Sequence, residues 1–195
     1  MYSGAINQNN VGTIAERIVA NELEFRGFRV TDLNRDRTSA NADLLAVRGD
    51  KILQVQVKGA TQVYKHACVL YGVCTEDMIQ NDKHPMFNRH AGFYRADVVV
   101  LVAVTSPTEY SCVVFPVREA EKAAQLNLKR EFRTLTLKGE PHKPHKVWAF
   151  LDHKPRTKDP ARQPLLDKEA ELLSRYKNRW DILESVPSAT ISKVK

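Results

Sequence analysis

The sequence predicts an α/β fold in which helices flank a central mixed β-sheet. Two patterns carry this prediction: apolar residues recur at helical spacing near both ends of the chain, and short apolar or alternating segments lie between them. The chain has 195 residues, of which 43% are hydrophobic, and this is enough to bury one core. We therefore expect an α/β domain over residues 1–152, followed by a basic linker and an amphipathic helix over residues 153–195.

The first predicted elements are a helix and a strand. Apolar side chains recur at helical spacing over residues 13–26, with Thr13 as the expected cap and Gly27 as the stop. A strand over residues 28–33 follows, and the polar segment 34–41 predicts a loop. The chain therefore begins with a helix that leads into the sheet.

A β-hairpin is predicted next. Residues 43–47 and 51–58 have strand character, and residues 48–50 supply a Gly-Asp turn between them. Apolar and polar residues alternate in the second strand, so period-two geometry places Gln56 and Lys58 on the same face. The hairpin thus presents two polar side chains side by side.

The rest of the chain predicts further strands and helices. Prolines from Pro141 to Pro164 interrupt a basic stretch before the last helix. We expect strands over residues 66–73, 97–104, 110–116 and 146–151, and helices over residues 118–126 and 167–185.

The composition favours a cytoplasmic protein with a polyanionic partner. The net charge is +7 and the pI is near 9.4, which suits a nucleic acid. The three cysteines form no CxxC pair, which favours a reducing compartment. The longest apolar run, residues 96–104, is too short to span a bilayer, and the N-terminus lacks a secretory pattern, so no membrane association is expected.

Three predicted elements carry residues in an informative order. Glu16 lies on the first helix, Asp43 opens one hairpin strand, and Gln56-Val57-Lys58 ends the next. This order resembles the PD-(D/E)xK nuclease superfamily, whose core is a helix carrying an acid and then a hairpin with a metal-binding Asp and an acid-spacer-Lys triplet. Within it, the sequence resembles archaeal Holliday-junction resolvases through residues 12–17, Leu23, Gly27, residues 43–46 and residues 56–58. The resemblance covers roughly residues 11–60.

The resemblance implies a restriction-endonuclease-like core and a site for Mg²⁺ or Mn²⁺. Asp43, Gln56, Glu16 and the backbone carbonyl of Val57 would hold the cation, and Lys58 would orient the attacking water and stabilise charge on the phosphate. Glu16, Asp43, Gln56 and Lys58 are thus the expected catalytic set. Each residue alone also fits a structural role, as a strand-entry residue or as part of a solvated face, and their order and spacing favour the functional interpretation.

Basic and polar residues beside this set are expected to contact the nucleic-acid backbone. In the resolvase-like pattern these positions are Arg17, Arg35, Arg37 and Ser39. Lys129–Arg162 adds ten Lys or Arg residues against four acids and could follow the phosphates as well. A solvated helix face and a polar loop are the alternative interpretation of the first four.

Gln56 departs from the family pattern, because the superfamily usually has Glu or Asp there. Some members, including certain homing endonucleases, carry Gln at this position.

The leading expectation is a metal-dependent DNA endonuclease acting in recombination, repair, restriction or a mobile element. The alternatives are an inactive nucleic-acid-binding protein of the same fold and a protein-interaction module. The residues do not distinguish DNA from RNA, and double-strand cleavage would require a homodimer or two successive nicks.

Overall fold

A computed structural model describes most of the chain. The described residues are 10–33, 42–61, 67–71, 96–106, 108–138, 147–150 and 160–188. The helices are α1 (Val11–Phe25), α2 (Val117–Lys138), α3 (Gln163–Arg175) and α4 (Ile182–Ser185), and a 3-10 turn over Pro160–Arg162 precedes α3. The strands are β1 (Arg29–Asp32), β2 (Leu44–Arg48), β3 (Lys51–Thr61), β4 (Ala67–Tyr71), β5 (Val98–Ser106), β6 (Glu109–Pro116) and β7 (Val147–Phe150).

Five of the strands form one mixed sheet, in the order β1-β2-β3-β5-β6. The β3–β5 pair is parallel, and the other neighbours in this sheet are antiparallel. Strands β4 and β7 pair with each other in a separate two-stranded sheet. The predicted fold class, α/β with a central mixed sheet flanked by helices, is confirmed.

Hydrophobic cores lie on both faces of the five-stranded sheet. On one face, Val19 and Leu23 of α1 pack with Leu53 and Val55 of β3. On the other face, residues of β5 and β6 such as Phe115 pack with the alanines of α2 and the leucines of α3. Because β5 is covered on both sides, its residues form a continuous apolar run rather than an alternating one.

The C-terminal segment passes around the β6 edge of the sheet, from one face to the other. Leu172 and Leu173 belong to the core on the α2 side, whereas Trp180 and Leu183 belong to the core on the α1 side. We call the residues between α3 and α4, 176–181, the edge crossing. The segment is therefore packed on the domain at both ends.

The edge crossing also pairs with β6. Tyr176 accepts a hydrogen bond from the backbone N–H of Val114 (3.0 Å), and the N–H of Asn178 donates to the carbonyl of Cys112 (2.7 Å). The Asn178 side chain accepts the N–H of Cys112 at 3.0 Å. These bonds satisfy backbone groups that an edge strand would otherwise present to other chains.

This geometry corrects the prediction of a single helix over residues 167–185. Helix α3 begins earlier, at Gln163, with Pro164 in its first turn, where a missing N–H costs nothing. Asn178 adopts φ +53°, which ends helical geometry between α3 and α4. The apolar residues thus serve two cores instead of one helix face.

Two other helix boundaries differ from the prediction. Helix α1 begins at Val11, with Asn10 rather than Thr13 at the cap, because Val11 is buried against β3 and extends the helix. Helix α2 continues to Lys138 instead of ending at Leu126, since the following residues are mostly good helix formers. Gly27 ends α1 with φ +80°, as expected.

Some predictions fall on residues that the structure does not describe. The loop over residues 34–41 and the prolines from Pro141 to Pro155 lie outside the described residues. Within the described parts of the chain, no helix is long and apolar enough to cross a membrane.

Candidate functional site

The backbone of Asp43 is fixed by the strands on both sides of it. Its N–H donates to the carbonyl of Val55 in β3 (2.9 Å), and its carbonyl accepts the N–H of Leu33, which follows β1 (2.9 Å). The hairpin is confirmed, with Leu44 opposite Val55 and Gly49 at φ +57° in the turn. Asp43 therefore enters β2 in a defined position beside β3.

The Asp43 carboxylate contacts two groups of β3 through one oxygen. The side-chain amide of Gln56 donates to Oδ2, and the backbone N–H of Val57 donates to the same atom at 2.7 Å. Gln56 is only 3% exposed, so its amide is enclosed by the protein. A buried amide requires a hydrogen-bond partner, and Asp43 supplies one.

The carbonyl of Val57 lies on the Asp43 side of β3. In an antiparallel ladder, the N–H and C=O of one residue point toward the same neighbour, and the Val57 N–H points to Asp43. The β2–β3 pairing ends at Leu44 and Val55, so β2 does not take this carbonyl. The Asp43 carboxylate, the Gln56 amide group and the Val57 carbonyl thus lie together at the start of β2.

Gln56 and Lys58 share the sheet face that is opposite α1. Their neighbours on β5 are Val99 and Leu101, which belong to the core beneath α2 and α3. Lys58 is half-buried and lies one pleat beyond Gln56 on the strand. The predicted shared face of Gln56 and Lys58 is present in the structure.

Helix α1 approaches β3 closely at Gly59. A Cβ atom at Gly59 would lie 2.8 Å from the Cβ of Ala15 and 2.9 Å from the carbonyl oxygen of Val11. Only a residue without a side chain permits this distance. Glu16 follows Ala15, so the α1–β3 contact fixes the position from which the Glu16 carboxylate extends.

A groove of about 570 Å³ connects Glu16 to the start of β2. Glu16 lines it together with Leu44, the residue after Asp43. Arg17 and Arg29 also line the groove, and so do the acids Glu24 and Asp32. The groove is therefore of mixed charge. It brings Glu16 and Arg17 to the α1 side of the hairpin start, while Gln56 and Lys58 lie on the other face.

A third carboxyl group, Asp97, lies at the start of β5. Its Oδ2 accepts the backbone N–H of Gln54 at 2.7 Å, and its N–H donates to the carbonyl of Gln54. Burial raises the pKa of Asp97, and the hydrogen bond from Gln54 opposes this shift. Asp97 joins β5 to β3 just before the site.

The oxygen donors of the candidate site are suited to a hard divalent cation, which they would bind weakly. Oxygen atoms of Asp43, Gln56 and Val57 are the kind of ligands that Mg²⁺ and Mn²⁺ prefer, whereas Glu16 lies in the groove on the α1 side. Among the described residues, no group of three or more His, Cys, Asp or Glu side chains could hold a metal ion. The oxygen chemistry fits such an ion, and the small number of acids predicts weak binding.

The structure brings the predicted residues together to different degrees. Asp43, Gln56 and Val57 are in direct contact, and Lys58 adjoins Gln56 on the same face. Glu16 and Arg17 line the groove beside the start of β2. Arg35, Arg37 and Ser39 lie outside the described residues.

Two contributors to the site were not predicted. The Val57 N–H, which binds the Asp43 carboxylate, has no sequence signal because any residue supplies it. Gly59 had a signal that was overlooked, since a glycine inside an alternating strand often marks a close backbone approach.

Comparisons with known proteins do not assign a family. No protein-family model matches the sequence, and no curated protein matches it. Among solved structures, a bacterial homing endonuclease, I-Ssp6803I, is similar over 92% of this chain and 95% of its own, with 16% sequence identity and a TM-score of 0.45. At this level of identity and superposition, the likeness establishes neither a family nor an activity.

Proposed function

We propose that this protein is a divalent-metal-dependent nuclease that hydrolyses DNA phosphodiester bonds. The observation that supports the proposal is the contact of the Asp43 carboxylate with Gln56 and Val57, next to Lys58 on the same strand. A carboxylate can hold a cation and an ammonium group can stabilise charge on a phosphate, and here they lie on adjoining strands. A branched DNA substrate is the finer form of the proposal, supported by the likeness to archaeal resolvases.

Oxygen atoms around the start of β2 would hold the cation. Asp43 would offer its carboxylate, Val57 its carbonyl and Gln56 its amide oxygen. Glu16 would approach the cation from the groove on the α1 side. A bound Mg²⁺ or Mn²⁺ supplies Lewis-acid activation of water and of the phosphate oxygens. The close packing of α1 on Gly59 keeps Glu16 in a fixed position relative to Asp43.

Lys58 would act on the reacting atoms directly. Its ammonium group extends from the same strand face as Gln56 and can hold the attacking water by donating a hydrogen bond. The same positive charge stabilises the negative charge that develops on the phosphate oxygens. Its half-buried position limits screening by water, which strengthens this effect.

The test is cleavage of labelled linear, single-stranded, branched and supercoiled DNA with Mg²⁺ or Mn²⁺. Lys58→Ala is expected to lower the cleavage rate by about 100-fold or more, the usual effect of removing one charge-stabilising donor. The variant purified in parallel controls for contaminating nucleases. Equal cleavage by the wild type and Lys58→Ala, or no cleavage by either, would reject the catalytic proposal.

A second candidate is a DNA-binding protein that has lost catalysis. The observation in its favour is the neutral, buried amide of Gln56, which donates a hydrogen bond to the Asp43 carboxylate. This candidate predicts DNA binding that is unchanged by EDTA and by Asp43→Ala. A nuclease instead loses cleavage under both conditions.

A further inference from the structure

One side of α1 carries an apolar stripe that the rest of the domain covers only in part. Its residues are spaced four, three and four positions apart, which is the heptad spacing of paired helices: Ile14, Ile18, Asn21 and Phe25. Ile14 and Ile18 are partly buried against the core, Asn21 is exposed, and Phe25 is 94% exposed. Single exposed apolar side chains are common on protein surfaces, whereas a stripe with this spacing is typical of a helix that packs against another helix.

Two charged side chains follow one edge of this stripe. Arg17 precedes Ile18 and Glu24 precedes Phe25, so both charges stand beside the stripe on the same side, seven residues apart. Both are exposed, and neither forms an ion pair within the part of the chain that the structure describes. The first half of α1 thus offers a positive charge at this edge, and the second half offers a negative one.

This arrangement makes α1 complementary to a second α1 that runs in the opposite direction. Antiparallel packing sets Arg17 of each copy opposite Glu24 of the other, so the ion pair forms twice across a twofold axis. The same register places Phe25 of each copy between Ile14 and Ile18 of the other. The charges and the apolar side chains therefore favour one and the same alignment.

The polar residues of α1 also favour the antiparallel direction. Near the twofold axis the two Asn21 side chains meet, and each amide can donate to and accept from the other. A parallel pair would instead set Arg17 against Glu22. Glu22 already accepts hydrogen bonds from Arg26 and Tyr110 of its own chain, so the parallel pair gains less.

We infer that α1 is the contact surface of a homodimer, in which a second copy of this chain packs antiparallel against the stripe. The inference is independent of the proposed function. Gln56 and Lys58 lie on the sheet face opposite α1, so the second copy does not cover that face. Arg17 is thereby assigned to the contact between the copies, in place of the expected contact with the nucleic-acid backbone.

Sedimentation equilibrium of the full chain at low salt measures the association. Because a pair of fifteen-residue helices is smaller than a standard stable interface, we expect a dimer that dissociates in the micromolar range. Phe25→Lys should abolish the dimer, since it places a charge between Ile14 and Ile18 of the other copy. Its circular dichroism spectrum should stay unchanged, because the Phe25 side chain is outside the core.

A charge exchange tests the antiparallel alignment. Arg17→Glu and Glu24→Arg each set like charges against one another at two places and should weaken association by about tenfold. The variant with both substitutions restores opposite charges and should associate like the wild type. Lys168→Glu is the control, because Lys168 is exposed on α3, on the other face of the sheet, and its reversal should leave association unchanged.

The outcomes decide the inference in either direction. A dimer that Phe25→Lys and each single reversal weaken, and that the double reversal restores, supports it. A monomer at every concentration, or a dimer that Phe25→Lys does not affect, overturns it. A double reversal that associates as weakly as the single ones overturns the antiparallel contact as well. None of these results depends on whether the protein cleaves DNA.

Discussion

Gly59 shows how much a single residue controls in this protein. It is the position where β3 and α1 come closest, and its missing side chain lets Ala15 and Val11 lie against the strand. Interiors are densely packed, so an added atom must displace its neighbours. The neighbours here include a backbone carbonyl, which cannot turn aside as the end of a flexible side chain could.

Gly59→Ala is therefore expected to destabilise the protein by about 1–3 kcal/mol, the usual cost of overpacking. Urea unfolding followed by circular dichroism measures the effect. Gly12→Ala is the matched control, because a Cβ at Gly12 meets nothing within 4 Å, and within a helix it should be neutral or stabilise by up to about 1 kcal/mol. Equal stability of the two variants would show that α1 does not approach β3 as described.

Asp97 makes the stability of the folded protein depend on pH, and the burial of its carboxyl group sets the direction of that dependence. Its pKa in the folded protein is raised, so the folded state holds the proton at pH values where the unfolded state has released it. Stability should therefore increase as the pH falls from neutral through the raised pKa toward the ordinary Asp range.

Asp97→Asn removes this titration while keeping an oxygen that can accept the Gln54 N–H. Thermal melts from neutral to mildly acidic pH should show the wild type gaining stability relative to the variant. Glu121, whose pKa burial also raises, titrates in both proteins and cancels in the comparison. Parallel pH profiles would contradict the assignment to Asp97.

Among the elements, the edge crossing joins the two faces of the sheet. Near its end, Trp180 lies in the core on the α1 side, with the guanidinium of Arg26 4.7 Å from its ring centroid. Glu184 of α4 accepts a hydrogen bond from Arg48 at 2.6 Å. This bond connects the C-terminal segment to the turn end of the β2–β3 hairpin. These contacts lie at the end of β2 opposite to Asp43.

Trp180→Ala is expected to cost about 3–5 kcal/mol, as for other large buried side chains. Arg179→Ala is the neighbouring control, since Arg179 is exposed and its described ion pair is with Asp181, two residues away. Denaturant unfolding should separate the two variants clearly. If both unfold like the wild type, the C-terminal segment is not part of the folded core.

The strands and helices also show which features of the fold local sequence patterns can predict. Apolar and polar residues alternate strictly over residues 53–58, and this alternation predicted the shared face of Gln56 and Lys58. The pairing of β4 with β7 joins segments about eighty residues apart, and their strand patterns do not specify the partner. The helix break at Asn178 depends on hydrogen bonds to β6, so the apolar spacing after Asp167 could not reveal it.

The arrangement of the candidate site residues could likewise be predicted from local patterns. Asp43, Gln56 and Lys58 lie within sixteen residues on one hairpin, where register follows from a two-residue turn. Glu16 depends on the packing of α1, which the sequence suggested only through helical spacing. The charge of the groove beside Glu16 depends on Glu24 and Asp32 as well as on Arg17 and Arg29, and only the folded chain brings them together.

For the whole molecule, the net charge of +7 predicts DNA affinity that depends on salt. Raising NaCl from about 50 to 200 mM should weaken binding steeply, with a linear relation between the logarithms of affinity and salt concentration. Fluorescence anisotropy in EDTA measures it, and Lys58→Ala should lower the slope by no more than about one unit. A DNA affinity too weak to measure at low salt would instead favour the protein-interaction module.

The separation into two sheets gives each sheet its own optical probe. The chain has two tryptophans: Trp148 belongs to β7 of the two-stranded sheet, and Trp180 packs in the core of the five-stranded sheet. Replacing either one by Phe would leave a single indole fluorophore in a known part of the fold. Fluorescence lifetimes of the two single-tryptophan proteins would then report whether the sheets lose their structure together or one after the other.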